Sequence, residues 1–125
     1  RATEGVNIFI GSVHNRRAFP GASPYAATKG ALETLTRVLA AELGKDKIRV
    51  NCVVPGAVMT NALKKAMPTD EMIDATAKTI PLKRVANPDE IAHPVVFLLS
   101  DKSSFITGAD LVVDGGKTAD LNAGN

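Results

Sequence analysis

Three short apolar runs, each halted by glycine or proline, govern what this chain can fold into. Val6-Asn7-Ile8-Phe9-Ile10 ends at Gly11-Ser12, Ile48-Arg49-Val50-Asn51-Cys52-Val53-Val54 at Pro55-Gly56, and Ala109-Asp110-Leu111-Val112-Val113 at Asp114-Gly115-Gly116. Near-continuous β-branched and apolar runs mark strands covered on both faces, as in a parallel sheet. The segments between them have helical spacing. From Pro24 to about Leu43, residues Leu32, Leu35, Val38, Leu39 and Leu43 recur at threes and fours, with Ser23 expected as cap and Gly44 as stop. Asn61 to Met67 and Asp70 to Ile80 suggest two short amphipathic helices parted by Pro68. Asn87-Pro88-Asp89-Glu90 opens a last helix, Pro88 to Ser100, with an Asn cap, Pro at the first position and Glu three after the cap. Ile91, Val95, Leu98 and Leu99 give it an apolar face, and Pro94 is expected to bend it. Strand, helix, strand, helices, strand is the rhythm of an α/β protein, whose ligands collect at the carboxyl ends of the strands.

Three chemical groups converge on that rim. Ser12 follows the end of the first strand, Pro55-Gly56 the end of the second, and Tyr25, the one tyrosine, begins the helix between them. Lys29 lies four residues after Tyr25, on the same helical face. A phenol of pKa about 10 is a poor acid-base catalyst at neutral pH, and a nearby cation favours its phenolate. A tyrosine tuned in that way exchanges a proton with an oxygen undergoing reduction or oxidation. His14, in the loop after Ser12, and His93, on the last helix, read as solvated and structural rather than catalytic.

Composition excludes several alternatives. The net charge of +2 comes from dispersed lysines and arginines; Arg16-Arg17, Lys45-Asp46-Lys47 and Lys64-Lys65 read as solvated turns, not a nucleic-acid surface. The one cysteine, Cys52, lies within an apolar strand, which excludes an internal disulfide and suits a reducing compartment. No apolar stretch is long enough to span a membrane, and no spacing of His, Cys or acidic residues suggests a metal site.

From Val6 to Gly116 the chain resembles the short-chain dehydrogenase/reductase family. The similar pieces are Ile10-Gly11-Ser12, Tyr25-Ala26-Ala27-Thr28-Lys29, Arg49 through Gly56, and Thr107-Gly108 through Gly116, together with the thirteen-residue spacing of Ser12 and Tyr25. Ala18 to Gly56 is similar to ketoacyl reductases and glucose-dehydrogenase-like sugar dehydrogenases. The resemblance implies an NAD(P)-dependent oxidoreductase that interconverts a small-molecule carbonyl and a secondary alcohol. Tyr25 would be general acid or base, Lys29 its cationic neighbour and a ligand of the nicotinamide ribose, and Ser12 a donor to the substrate oxygen. Pro55, Gly56, Val58 and Thr60 match the Pro-Gly-x-x-x-Thr stretch that borders the nicotinamide, and Asn51 would brace the strand end. Substrate choice would sit in residues 57 to 84.

In fold class the resemblance implies an α/β domain, the C-terminal half of a doubly wound Rossmann-type parallel sheet with strands in the order 5-6-7. The long and late helices would cover opposite faces. The family's glycine-rich strand-turn-helix, which receives the pyrophosphate at a helix N-terminus, has no counterpart here. Residues 1–125 are therefore expected to form a single partial domain, the catalytic half, with 117–125 a loose tail. Beginning at Arg1 rather than methionine fits a partial sequence of a cytoplasmic dimer or tetramer built through its late helix and last strand. The alternative is a truncated, non-catalytic relative serving as an oligomerisation or binding partner.

Overall fold

The computed structural model describes residues 5–16 and 20–122. Arg17 and positions 123–125 of the expected tail therefore lie outside the described residues. Strand β1 (Gly5–Ile10) leads through a 3-10 turn, Val13–Asn15, to the long helix α1 (Ser23–Leu43). Strand β2 (Ile48–Pro55) is followed by α2 (Asn61–Ala66), α3 (Asp70–Lys78), α4 (Asp89–Leu99) and strand β3 (Asp110–Val113). The three strands form one parallel sheet in the order β1-β2-β3, with Phe9 beside Cys52 and Cys52 beside Asp110.

β2 is the centre of the structure. Its residues Val50 through Val54 are all fully buried, which a strand achieves only when both faces are covered. Both α1 and α4 pack on β1 and β2. On one face Thr36 of α1 reaches Cys52, and burial pushes the Cys52 thiol up, so it is a buried, inert sulfur. On the other, Arg49 ties down the end of α4: its guanidinium donates to Ser100 O at 3.1 Å, Ile106 O at 3.1 Å and Ser103 Oγ at 3.0 Å.

Asn51 sets the entry to β3. Its Nδ2 donates to Ile106 O and its Oδ1 accepts from Ala109 N, both at 3.0 Å, while Val50 N donates to Thr107 Oγ1. Gly108 sits in this turn at φ +76°, where an added Cβ would also lie 3.3 Å from Ala40 of α1. The chain therefore passes under α1 only because both residues are small.

Several sequence expectations need correction. The buried stripe of α1 is Glu33, Thr36 and Ala40, not the leucine series; Leu35 and Val38 are 41% and 47% exposed. Small or bonded side chains occupy the closest helix–sheet approach, and the leucines flank it. Ser23 is the first helical residue rather than the cap; Gly44 does end the helix as expected, in right-handed conformation, and the left-handed turn follows at Lys47 (φ 59°). α4 begins one residue later than expected, with Pro88 in the cap position, and its Leu99 is exposed. The first residues of the expected tail are bonded to the body. Thr118 N and Oγ1 both donate to Asp114 Oδ2, and Lys117 Nζ to Thr79 Oγ1 at 2.7 Å. Among the described residues no helix is long and apolar enough to cross a membrane, and no group of three or more His, Cys, Asp or Glu could hold a metal ion.

Two outcomes follow from this packing. Asn51→Ala strands the Ala109 amide and leaves the Ile106 carbonyl to Arg49 alone, and should cost about 2 kcal/mol in urea unfolding; a loss under about 0.5 kcal/mol contradicts the bracing role. At the start of α4, Glu90 accepts from both Arg84 nitrogens and from Asn87 N, which holds its carboxyl down from 4.5 to about 2. A depressed acid stabilises the fold fully above its ordinary range and loses that contribution as pH falls through the lower value. The gap in unfolding midpoint between wild type and Glu90→Gln should therefore be constant above about pH 5 and close toward about pH 2. A gap that persists undiminished at the acid end contradicts the assignment.

Candidate active site

Parallel pairing brings the carboxyl ends of β1 and β2 to one rim. Gly11 N donates to Val53 O at 2.8 Å, extending the ladder one step beyond β1 and setting down Ser12. Ser12 is 6% exposed, in extended conformation (φ −162°, ψ 149°), and caps the following 3-10 turn: its Oγ accepts from His14 N at 3.2 Å. The turn carries the His14 ring edge-on to the Tyr25 ring, with centroids 5.6 Å apart at 67°. Tyr25 is the third residue of α1 and is half exposed.

Lys29, one turn further along α1, closes the circle. Its Nζ lies 5.6 Å from the Tyr25 ring centroid, within cation–π range, and donates to Ile10 O at 3.0 Å. Ile10 is two residues before Ser12, so the contacts run Ser12, His14, Tyr25, Lys29, Ile10 and back along the backbone to Ser12. The three residues singled out in the sequence are thus neighbours on one rim. The lysine is fixed by a strand carbonyl and by the ring rather than left to swing in solvent.

The second group of residues lies beyond β2. Pro55 is the last residue of β2 and pairs with Val113, and Gly56 N donates to Val113 O at 3.0 Å. A Cβ on Gly56 would come within 2.8 Å of Asp114 Cβ, so glycine is required there by the crossing of two chain segments. Val58 forms a parallel bridge with Ala86, and Val58 O accepts from Thr60 N at 2.8 Å. Thr60 is the cap of α2: its Oγ1 accepts from Leu63 N at 3.2 Å. A capping hydroxyl still carries an O–H donor, and an ammonium carries three donors of which Ile10 O takes one. These donors suit the hydroxyl- and amide-bearing end of a coenzyme. A cavity of about 150 Å³ bounded by Ile80, Leu82, Val113 and the Arg84–Glu90 pair includes none of Ser12, Tyr25 or Lys29. It is too small for a drug-sized ligand, which needs roughly 300 Å³ or more.

The sequence reading overlooked one cluster here. Arg16, assigned to a solvated turn, donates through Nη2 to Glu33 Oε1 at 2.7 Å and to Asp110 Oδ2 at 3.3 Å. Arg37 Nη1 meets the same Asp110 oxygen at 3.0 Å. The available signal was a glutamate four residues after Lys29, on the sheet-facing stripe of α1, where an unpaired charge is not tolerated.

A family model described as enoyl-(acyl carrier protein) reductase matches residues 1–118. L-xylulose reductase of Bos taurus is 43% identical over 93% of this chain and 48% of its own length. 3-Oxoacyl-(acyl-carrier-protein) reductase FabG of Chlamydia trachomatis is 41% identical over 93% of this chain and 46% of its own. Among solved structures, gluconate 5-dehydrogenase from Burkholderia cenocepacia, in complex with NADP and tartrate, superimposes with a TM-score of 0.87 at 36% identity, over 94% of this chain and 46% of that one. The chain thus spans about half the length of the relatives it matches. On these matches and on a shared parallel α/β fold, it belongs to the short-chain dehydrogenase/reductase family.

Proposed function

We propose that this chain is the catalytic half of an NAD(P)-dependent oxidoreductase that interconverts a small-molecule carbonyl and a secondary alcohol. The observation that supports it most is the closed circle of contacts linking Ser12, Tyr25 and Lys29 at the carboxyl ends of β1 and β2. A nicotinamide coenzyme, NAD or NADP, supplies hydride to the carbonyl carbon or takes it from the alcohol carbon when bound.

The chain's own residues handle the oxygen. In reduction, the C=O π pair moves onto oxygen as the carbon gains hydride, and the Tyr25 O–H gives its proton to that oxygen to complete the alcohol. In oxidation, Tyr25 accepts the alcohol proton as the C–H bond breaks. The Ser12 hydroxyl donates to the same oxygen, and its near-complete burial keeps that donor aimed and shielded from water. The Lys29 ammonium offsets negative charge developing beside Tyr25 and, with the Thr60 hydroxyl and the backbone at Val58, orients the ribose and carboxamide of the coenzyme. Pro55 and Gly56, at the carboxyl end of β2, would border the nicotinamide.

Relatives range in name from L-xylulose reductase to cyclopentanol dehydrogenase, so the reading stays at the class of carbonyl and secondary alcohol. Substrate choice falls to residues 57–84. The outward apolar residues Val96, Phe97 and Leu99 of α4 and Leu111 of β3 suit a homodimer or homotetramer of the complete enzyme. The single buried cysteine suits a reducing compartment such as the cytoplasm.

Tyr25→Phe in the complete enzyme tests the reading. It should lower kcat by about 1,000-fold or more, within the range of general acid-base catalysis, while coenzyme affinity stays within about twofold. Turnover is followed by nicotinamide absorbance and affinity by calorimetry; wild-type kcat in the variant contradicts the assignment.

A further inference from the structure

The loop that carries Ser12 has a second anchor four residues further on, at Arg16. After the 3-10 turn, Arg16 closes onto Val13 O, and its guanidinium spans two carboxylates from other elements, Glu33 of α1 and Asp110 of β3. The carboxylates are well shielded, with side chains 8% and 14% exposed, whereas the Arg16 and Arg37 side chains are 35% and 55% exposed. Two like charges held together out of water repel one another and favour protonation. The Asp110 carboxyl is accordingly pushed up by burial and by Glu33, against the pull of Arg37 and Arg16. The arrangement is stable only with the guanidiniums in place. Arg37 belongs to α1 and binds α1 to β3; Arg16 belongs to the loop.

We propose that Arg16 is a positioning residue: its clamp on Glu33 and Asp110 fixes the Ser12 loop against the helix that carries Tyr25 and Lys29. The inference rests on the catalytic reading of Ser12 and Tyr25 given above. Glu33 is two helical turns beyond Tyr25 on α1, so the clamp references the loop to the same rigid body that holds the phenol. Ser12 lies four residues before Arg16, with only one short 3-10 turn between them. Within that span His14 also meets the helix, edge-on to Tyr25. The charge-assisted bond from Arg16 Nη2 to Glu33 at 2.7 Å is directional as well as strong, and the same nitrogen reaches Asp110 at 3.3 Å. The geometry matters because a displacement near 1 Å of a catalytic donor costs about 100-fold in rate.

A purely structural cluster would behave differently, and the contrast between the two arginines separates the cases. Arg16→Gln removes the cation shared by Glu33 and Asp110, and Arg37→Gln removes the second cation on Asp110, so both should lower the unfolding temperature of the complete enzyme. Only Arg16→Gln should lower kcat, by about 10- to 100-fold, with the coenzyme KM unchanged. Arg16→Lys, which keeps the charge but has lost the fork, should recover part of kcat. Where Arg16→Gln alone does not fold, Arg16→Gln with Glu33→Gln removes one charge of each sign, and this pair should fold while kcat stays low. Equal kcat in Arg16→Gln and Arg37→Gln, or wild-type kcat in the charge-matched pair, overturns the proposal. Tyr25→Phe is assayed alongside. If it is inactive while the charge-matched pair is fully active, only the positioning role fails; if it keeps wild-type turnover, the catalytic reading fails and the positioning role with it.

Discussion

Strand β2 has a hydrogen-bonded neighbour on each edge and a helix over each face, and the placement of every other element follows from that enclosure. Five consecutive fully buried residues leave no freedom of register, because a slip of one residue would turn Asn51 into the α1 side and Cys52 away from it. Asn51 and Arg49 then dictate where the chain from α4 must enter β3. On the opposite edge, β1 is carried in register to Ile10, and the extra bond from Gly11 to Val53 delivers Ser12 to the rim. The groups proposed to react thus sit at a strand end and on a helix packed against the sheet, the arrangement that holds a site within the tolerance chemistry needs.

Several residues at the rim serve two purposes. Lys29 bonds a strand carbonyl and lies over the Tyr25 ring, and Thr60 caps a helix while retaining a donor. For each of these the structural duty and the proposed chemical duty coexist, because the structural duty uses only part of the group's bonding capacity. An ammonium with three donors and a hydroxyl that both accepts and donates permit that division. Gly56 differs: its steric role alone accounts for the residue.

The strands were legible because glycine and proline punctuate them, and each boundary fell within a residue of the apolar run. The α/β order and the meeting of Ser12, Tyr25 and Lys29 at one rim were legible for the same reason. α1 was misread in part. Counting leucines picks out Leu35 and Val38, yet the helix lies closest to the sheet through Thr36 and Ala40, where Gly108 passes beneath. Large residues flank such a contact instead of filling it. Of the ion cluster only Glu33 left a trace in the sequence, since Arg16, Glu33, Arg37 and Asp110 come from three separated stretches whose meeting depends on the completed sheet. Glu33 is tolerated in a buried stripe only because of partners that no local window contains.

In the proposed chemistry Ser12 and Tyr25 act on one oxygen. A double-mutant cycle of Ser12→Ala and Tyr25→Phe tests it most directly, measured as single-turnover hydride transfer in the complete enzyme against the background rate without enzyme. Groups that act as a unit are strongly non-additive, so the double variant should be no slower than the worse single variant by more than about threefold. Losses that multiply in full would mean that the two hydroxyls work independently, and would contradict the account.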